Sequence, residues 1–178
     1  MSVSIPAGTY VIDPSHTEVG FVARHAMVTK VRGYFRAVEG QIVVADEFAN
    51  SSATATMKVD SVDTGNGDRD GHLKSADFFD LENHPTWTLA STGITPKGDD
   101  FVLAADLTIR GVTKPVEFEL EFAGVATDPW GNTKAGFTAE TEISRKDFGL
   151  EWNAALETGG VVVGDKVKIT LDIEALKA

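Results

Sequence analysis

The sequence contains no cysteine and no long apolar run, and each absence excludes a class of protein. Without cysteine the chain forms no disulfide and binds no metal through thiolates. Without a run of about 18 apolar residues it has no transmembrane helix. Residues 1–13 also lack the basic start and the apolar centre of a secretory signal. We therefore expect a cytoplasmic protein with no stable membrane insertion.

Positive charge is scarce as well. The chain carries 16 Lys and Arg against 27 Asp and Glu, which gives a formal net charge of −11. Nucleic acids and anionic membrane surfaces attract basic proteins, so neither is an expected partner. The length of 178 residues and the hydrophobic content of 42% suit one domain over residues 1–178 with a sizeable core.

Alternation of apolar and polar residues predicts strands along most of the chain. In the clearest case, alternate apolar residues from Phe101 to Ile109 are followed, after Gly111, by a second apolar row from Val116 to Phe122. This pattern predicts an antiparallel hairpin. About eight such segments, the last over residues 161–174, favour a closed antiparallel barrel or a sandwich, because closure removes exposed strand edges.

Several inward positions of these strands carry small residues. An eight-stranded barrel is either filled by its own side chains or holds one small ligand. Small inward residues favour a hollow interior, and aromatic side chains that fill the space from facing strands are the alternative. The small residues are Ala53, Ala55, Ala105, Ala135 and Ala139.

Residues 68–79 form the one stretch where helix-compatible residues come together. Asp68 and Asp70 are predicted N-terminal caps, since a carboxylate accepts hydrogen bonds from free amides. Two interpretations stay open at this point. The stretch is either a short surface helix that completes the core, or a lid whose Phe78 and Phe79 close one end of a hollow sheet.

Basic residues near the predicted turns are candidates for binding a ligand head group. If several meet at the mouth of a barrel, they could hold a phosphate or carboxylate while an apolar tail enters the interior. A histidine at the end of an apolar strand row is a further rim candidate. These head-group or rim candidates are His25, Lys74, Arg110 and Arg145.

Motifs in order along the chain are Tyr10-Val-Ile-Asp13-Pro-Ser-His16, Arg69-Asp-Gly-His72-Leu-Lys-Ser-Ala-Asp77-Phe-Phe-Asp80, His84-Pro85, Leu107-Thr-Ile-Arg-Gly111-Val-Thr-Lys114, Arg145-Lys-Asp-Phe-Gly149 and Val163-Gly-Asp-Lys-Val167. Together they resemble the YceI-like family over nearly the whole chain. The resemblance implies a lipocalin-like, eight-stranded barrel with an elongated apolar pore. Such pores hold polyisoprenoid chains, either isoprenoid quinones or polyprenyl phosphates, and homodimers are common. Many relatives are exported, and Thr17 stands where the family usually has serine.

The combined prediction is an all-β, eight-stranded antiparallel lipocalin-like barrel with one short helix, over about residues 68–79, near a barrel end. With the resemblance, strand parity predicts which side chains line the pore, and a slip of one residue would invert a strand's row. The predicted pore-lining residues are Val19, Phe21, Phe35, Met57, Phe78, Phe79, Trp87, Leu107, Phe118, Phe137, Phe148 and Trp152.

The predicted function is to bind, carry or sequester a long apolar isoprenoid lipid, without catalysis, cofactor or metal. Known nucleophile and phosphate-binding motifs are missing, and the four histidines are scattered. One alternative is a barrel hydrolase or isomerase for a small apolar substrate, with His25 or His72 beside a carboxylate in the pore. Another is a closed structural or dimerising barrel with a filled interior.

Overall fold

The computed structural model describes residues 4–26, 28–154 and 162–178. Residue 161, predicted to begin the last strand, lies outside the described residues. The helix is α1, Gly67–Lys74, and short 3-10 turns cover Pro14–His16, Phe48–Asn50, Val59–Ser61 and Arg145–Phe148. The strand segments are β1 Gly8–Ile12, β2 Glu18–His25, β3 Thr29–Phe35, β4 Val38–Val44, β5 Ser52–Lys58, β6 Val62–Asp63, β7 Thr86–Lys97, β8 Asp100–Ile109, β9 Val112–Thr127, β10 Thr133–Ser144 and β11 Val163–Lys177.

The strands close into a barrel in which every pairing is antiparallel. The ring runs β1-β4-β5-β7-β8-β9-β10-β11 and closes where β1 pairs with the end of β11. Segment β2 pairs with the earlier part of β11, so β1 and β2 act as one long strand interrupted by the turn Pro14–His16. Segments β3 and β6 extend β4 and β5 in the same way. The predicted all-β, eight-stranded closed barrel is therefore confirmed.

The hairpin of β8 and β9 follows the predicted pattern. The residues from Phe101 to Ile109 that were predicted to face inward are all buried. Ile109 pairs with Val112, which leaves two turn residues, Arg110 and Gly111, with φ of 51° and 73°. Two successive positive φ angles define the type I′ turn, whose twist matches that of the flanking strands.

The helix is shorter than predicted and has a different cap. It ends at Lys74, not near residue 79, because Ser75 adopts an extended conformation and its N–H bonds to His72. The cap is Asn66, whose side-chain oxygen accepts the N–H of Arg69, and not Asp68 or Asp70. Among the described residues, no helix has the length and apolar content that crossing a bilayer requires.

Candidate functional site

An apolar cavity of about 80 Å3 lies inside the barrel, next to the connection between β4 and β5. All of its lining residues are apolar except the hydroxyl-bearing Ser51, Ser52 and Thr54. None of the described lining residues carries a charge or titrates near neutral pH. The arrangement suits a hydrocarbon ligand held by its apolar surface.

The small residues of the strands explain why the barrel is hollow at this place. Ala53, Ala55 and Ala139 lie on the cavity wall, as their inward parity predicts. The other two predicted small residues, Ala105 and Ala135, are fully buried in the core and do not line the cavity. Replacing any wall alanine by a residue of ordinary core size would therefore fill part of the space.

The interior beyond the cavity is filled by four aromatic side chains, which we call the interior aromatic cluster: Phe21, Phe35, Phe79 and Trp87. The ring of Phe35 lies 4.6 Å from that of Trp87, and Phe79 lies 5.0 Å from Trp87, between ring centroids. Phe21 contacts all three others at 5.8 to 6.3 Å. The barrel is thus hollow in one part and filled in another, so each of the two alternative interiors describes part of it.

A glycine in the neighbouring strand makes room for this cluster. Gly33 lies directly opposite Phe21 in the β2–β3 ladder. A Cβ atom built on Gly33 would lie 2.3 Å from the tip of the Phe21 ring, far inside van der Waals contact. The missing side chain therefore lets the Phe21 ring lie across its partner strand and join the cluster.

The side chain of Phe48 covers the cavity at the β4–β5 connection. It is half-buried and lies on the cavity wall. Its ring packs 4.7 Å from Phe101 and 6.1 Å from Phe137, nearly parallel to the latter. Alternation could not indicate this residue, because it lies in the acidic connection at residues 45–51, where no strand period exists.

The structure groups the predicted pore-lining residues into four sets. The cavity wall contains Val19, Met57 and Phe137, and the interior aromatic cluster contains Phe21, Phe35, Phe79 and Trp87. Leu107, Phe118 and Phe148 are buried in the core without touching the cavity. Phe78 packs 5.3 Å from the half-buried Trp152, and both contact His72, so these two lie by the helix and not on the cavity wall. Besides the three alanines, the apolar wall residues outside the predicted pore-lining set are Ile12, Ile42, Phe48, Leu89, Ile94, Leu103, Leu120, Leu171 and Ile173.

The predicted head-group residues do not meet at the cavity. His25 is exposed at the end of β2, and Lys74 forms an ion pair with Asp60 at 3.4 Å. Arg110 donates to the carbonyl of Phe78 at 2.9 Å, which ties the β8–β9 turn to the segment after the helix. None of these side chains lines the cavity.

Arg145 is buried, and its guanidinium bonds to the backbone. Nε donates to the carbonyl of Gly164, Nη1 to those of Leu150 and Trp152, and Nη2 to that of Val163, at 2.7 to 3.3 Å. Burial lowers the pKa of Arg145, and the nearby carboxylate of Asp165 opposes that shift. The head-group role predicted for Arg145 does not fit this geometry, because its donors hold backbone carbonyls together.

Asp13, His16 and Glu174 form the one group among the described residues with the spacing of metal ligands. His16 Nδ1 lies 3.0 Å from Asp13 Oδ2 and 3.8 Å from Glu174 Oε1. The ammonium group of Lys134 already lies 3.2 Å from the same Glu174 oxygen. The hydrogen bonds to His16 and Ser15 lower the pKa of Asp13 to about 2. We interpret the group as the brace of the β1–β2 turn.

The enzyme alternative requires a histidine beside a carboxylate inside the barrel. His72 Nε2 does lie 2.9 Å from Asp77 Oδ2, but the two side chains are 40% and 49% exposed. His25, the other candidate, is also exposed. In the described part of the chain, the geometry that the alternative needs is therefore not present at the cavity.

Comparison with known proteins gives one family. A model of the YceI-like domain matches residues 10–175. A UPF0312 protein of Staphylococcus aureus strain N315 is 37% identical over 170 residues, which cover 93% of this chain and 95% of that protein.

Two solved structures are similar in fold. BcnA of Burkholderia cenocepacia has a TM-score of 0.79 and 24% identity, and the match covers 92% of this chain and 98% of that one. A polyisoprenoid binding domain from Saccharophagus degradans, implicated in plant cell wall breakdown, has a TM-score of 0.70 and 17% identity, with 97% and 100% covered. None of the proteins named here carries the name of an enzyme.

Proposed function

The chain belongs to the YceI-like family, and on that premise we propose that its barrel binds, carries or sequesters a long apolar isoprenoid lipid. The observation that carries the proposal is the cavity wall, which is apolar apart from three hydroxyl-bearing residues. The name of the Saccharophagus degradans domain, which shares the fold, points to the same class of ligand. Homodimer formation and a cytoplasmic location stay predictions.

The size of the cavity sets a condition on binding. A dry cavity of about 150 Å3 accepts a molecule such as benzene, whereas this cavity measures about 80 Å3. A long isoprenoid chain therefore enters only if the interior widens. Phe48 lies on the cavity wall, and Trp87 of the interior aromatic cluster lies beside the wall residue Met57. These are therefore the groups that we expect to move.

Widening the interior is favourable when an apolar ligand replaces the contacts that the rings lose. Burial of apolar surface contributes about 25 cal/mol per Å2, and a long prenyl chain buries a large area. After the interior has widened, each aromatic ring of the cluster still has apolar neighbours, because the ligand replaces the ring contacts that are lost. Binding of this kind needs little polar chemistry at the wall.

The experiment is extraction of the purified protein with organic solvent, together with native mass spectrometry of the intact complex. We expect a bound species of isoprenoid mass, or uptake of added geranylgeraniol by protein from which lipid has been removed. Ala139→Leu places three more carbons in the cavity and should weaken uptake roughly tenfold or more. Thr138→Leu, on the neighbouring outer-face position, is the matched control and should bind as the unmodified protein does.

A filled interior favours a second function, in which the barrel is purely structural. The interior aromatic cluster is the observation behind it, because four packed rings occupy space that a ligand would need. The same experiment separates the two functions. Absence of any extracted lipid, together with no uptake of geranylgeraniol, would leave the structural barrel as the function.

A further inference from the structure

Trp87 carries an unusual polar atom. The residue is 3% exposed, and its Nε1 is the one fully buried side-chain nitrogen or oxygen in the described part of the chain without a hydrogen-bond partner. Buried donors in native proteins are nearly always paired, and each exception calls for a specific explanation. A phenylalanine would fill a similar apolar position without a donor that has lost its water.

Trp87 stands where a ligand in the barrel would reach it. Its ladder partner Met57 and its neighbour on the same face, Leu89, both line the cavity. On the other side it packs against Phe35 and Phe79, with interplanar angles of 61° and 78°. Contacts of an indole N–H with aromatic faces are weak, so they do not replace a hydrogen bond to oxygen.

We propose that Trp87 Nε1 donates a hydrogen bond to an uncharged oxygen of the bound lipid, a carbonyl of the quinone or ketone type. This inference rests on the proposed function and adds an orientation to it. The oxygen-bearing end lies against the interior aromatic cluster, and the hydrocarbon tail runs through the cavity towards Phe48. Trp87 is then the residue that selects the ligand's head.

The charges of the molecule favour an uncharged head over a phosphate. A buried phosphate needs cationic partners, and none of the described cavity-lining residues is basic. Among the basic candidates, Arg145 bonds to backbone carbonyls and Lys74 pairs with Asp60. A carbonyl oxygen, in contrast, is fully satisfied by one or two neutral donors.

The test compares three probes that share one prenyl tail: geranyl-1,4-benzoquinone, geranylbenzene and geranyl phosphate. Affinities are measured by calorimetry on lipid-free protein. We expect the quinone to bind roughly tenfold tighter than the hydrocarbon, and the phosphate to bind more weakly than either. Trp87→Phe should remove the preference for the quinone, so that geranyl-1,4-benzoquinone and geranylbenzene bind this variant with equal affinity. Trp130→Phe, at a side chain that is 83% exposed, is the matched control.

A second measurement does not depend on how a variant folds. In the unmodified protein, the indole N–H resonance of Trp87 should move further downfield on addition of the quinone than on addition of geranylbenzene, because only the quinone offers a carbonyl oxygen as acceptor. Equal affinity for quinone and hydrocarbon, with no such difference in shift, would overturn the role of Trp87 while leaving the proposed function intact. If none of the three probes binds, the proposed function itself fails.

Discussion

At the scale of single residues, charged side chains in this barrel stabilise connections between strands. Arg145 donates hydrogen bonds to four backbone carbonyls in two segments, and the most distant of these carbonyls belongs to a residue 19 positions after Arg145. Asp13 holds Ser15 through two hydrogen bonds and His16 through a third. Both groups keep the backbone in place where a strand breaks or turns, away from the apolar cavity.

The low pKa of Asp13 predicts how stability depends on pH. The hydrogen bonds from His16 and Ser15 lower that pKa from 3.8 to about 2. Because the folded state binds the proton less tightly than the unfolded chain, the stabilisation is complete above about pH 4 and is lost as the pH falls towards 2. Asp13→Asn should therefore lower the free energy of unfolding by about 1–2 kcal/mol at pH 7, with a smaller difference near pH 2.

Urea denaturation at pH 7, 4, 3 and 2 measures this effect. Asp99→Asn, at an exposed turn residue, is the matched control and should change stability little. A difference between the unmodified protein and Asp13→Asn that stays constant over the whole pH range would contradict the argument.

The strand period predicts which side chains face inward, but it does not predict which of the inward side chains line the cavity. Val19, Met57 and Phe137 were predicted to line the pore from strand parity together with the family resemblance, and all three lie on the cavity wall. Phe48 was not predictable, because a connection without regular structure has no period. The buried position of Arg145 was equally hidden, since the carbonyls that bind it belong to residues 150, 152, 163 and 164.

At the scale of elements, the tight turn between β8 and β9 combines two constraints on Gly111. Its φ of 73° lies in the left-handed region that disfavours other residues. A Cβ atom on it would also lie 2.7 Å from the His84 ring. The turn therefore packs directly against the segment that follows the helix.

Gly111→Ala should destabilise the protein more than an alanine at a comparable open turn. Gly98 is the matched control, because its φ is 62° and nothing lies within 4 Å of its Cβ position. Gly98→Ala should cost about 1 kcal/mol from backbone strain, and Gly111→Ala about 1–2 kcal/mol more from the contact with His84. Chemical denaturation measures both values. Equal losses for the two variants would show that the His84 ring moves away without cost.

Element boundaries were less predictable than element types. The pairing of β8 with β9 could be predicted from the sequence, because it depends only on the alternation of apolar residues and on a turn residue between the two strands. The position of the helix was predicted correctly, but the predicted C-terminal end lies more than one turn beyond the observed end. Its end depends on the extended conformation of Ser75 and on the burial of Phe78 and Phe79 after it. Those are tertiary effects that propensity does not contain.

At the scale of the whole molecule, the barrel has two unlike ends. The segment after α1 contributes Phe79 to the interior aromatic cluster and is tied down by the bond from Arg110 to the carbonyl of Phe78. The opposite end is closed by Phe48, which lies in a connection of seven residues between β4 and β5. A single ring on a short connection is easier to displace than four mutually packed rings, so a lipid should enter past Phe48.

Phe48→Ala should therefore speed the uptake of a prenyl probe several-fold while the fold is kept. The reason is that the variant removes the ring that packs on Phe101 and Phe137 and covers the cavity. Stopped-flow fluorescence of the intrinsic tryptophans, after mixing lipid-free protein with geranylbenzene, measures the rate. Phe122→Ala is the matched control, since Phe122 also packs on Phe137, at 5.5 Å, but is not on the cavity wall. Leu81, in the segment after α1, is partly buried and packs against the core. If Leu81→Ala speeds uptake and Phe48→Ala does not, the lipid enters from the barrel end that carries this segment.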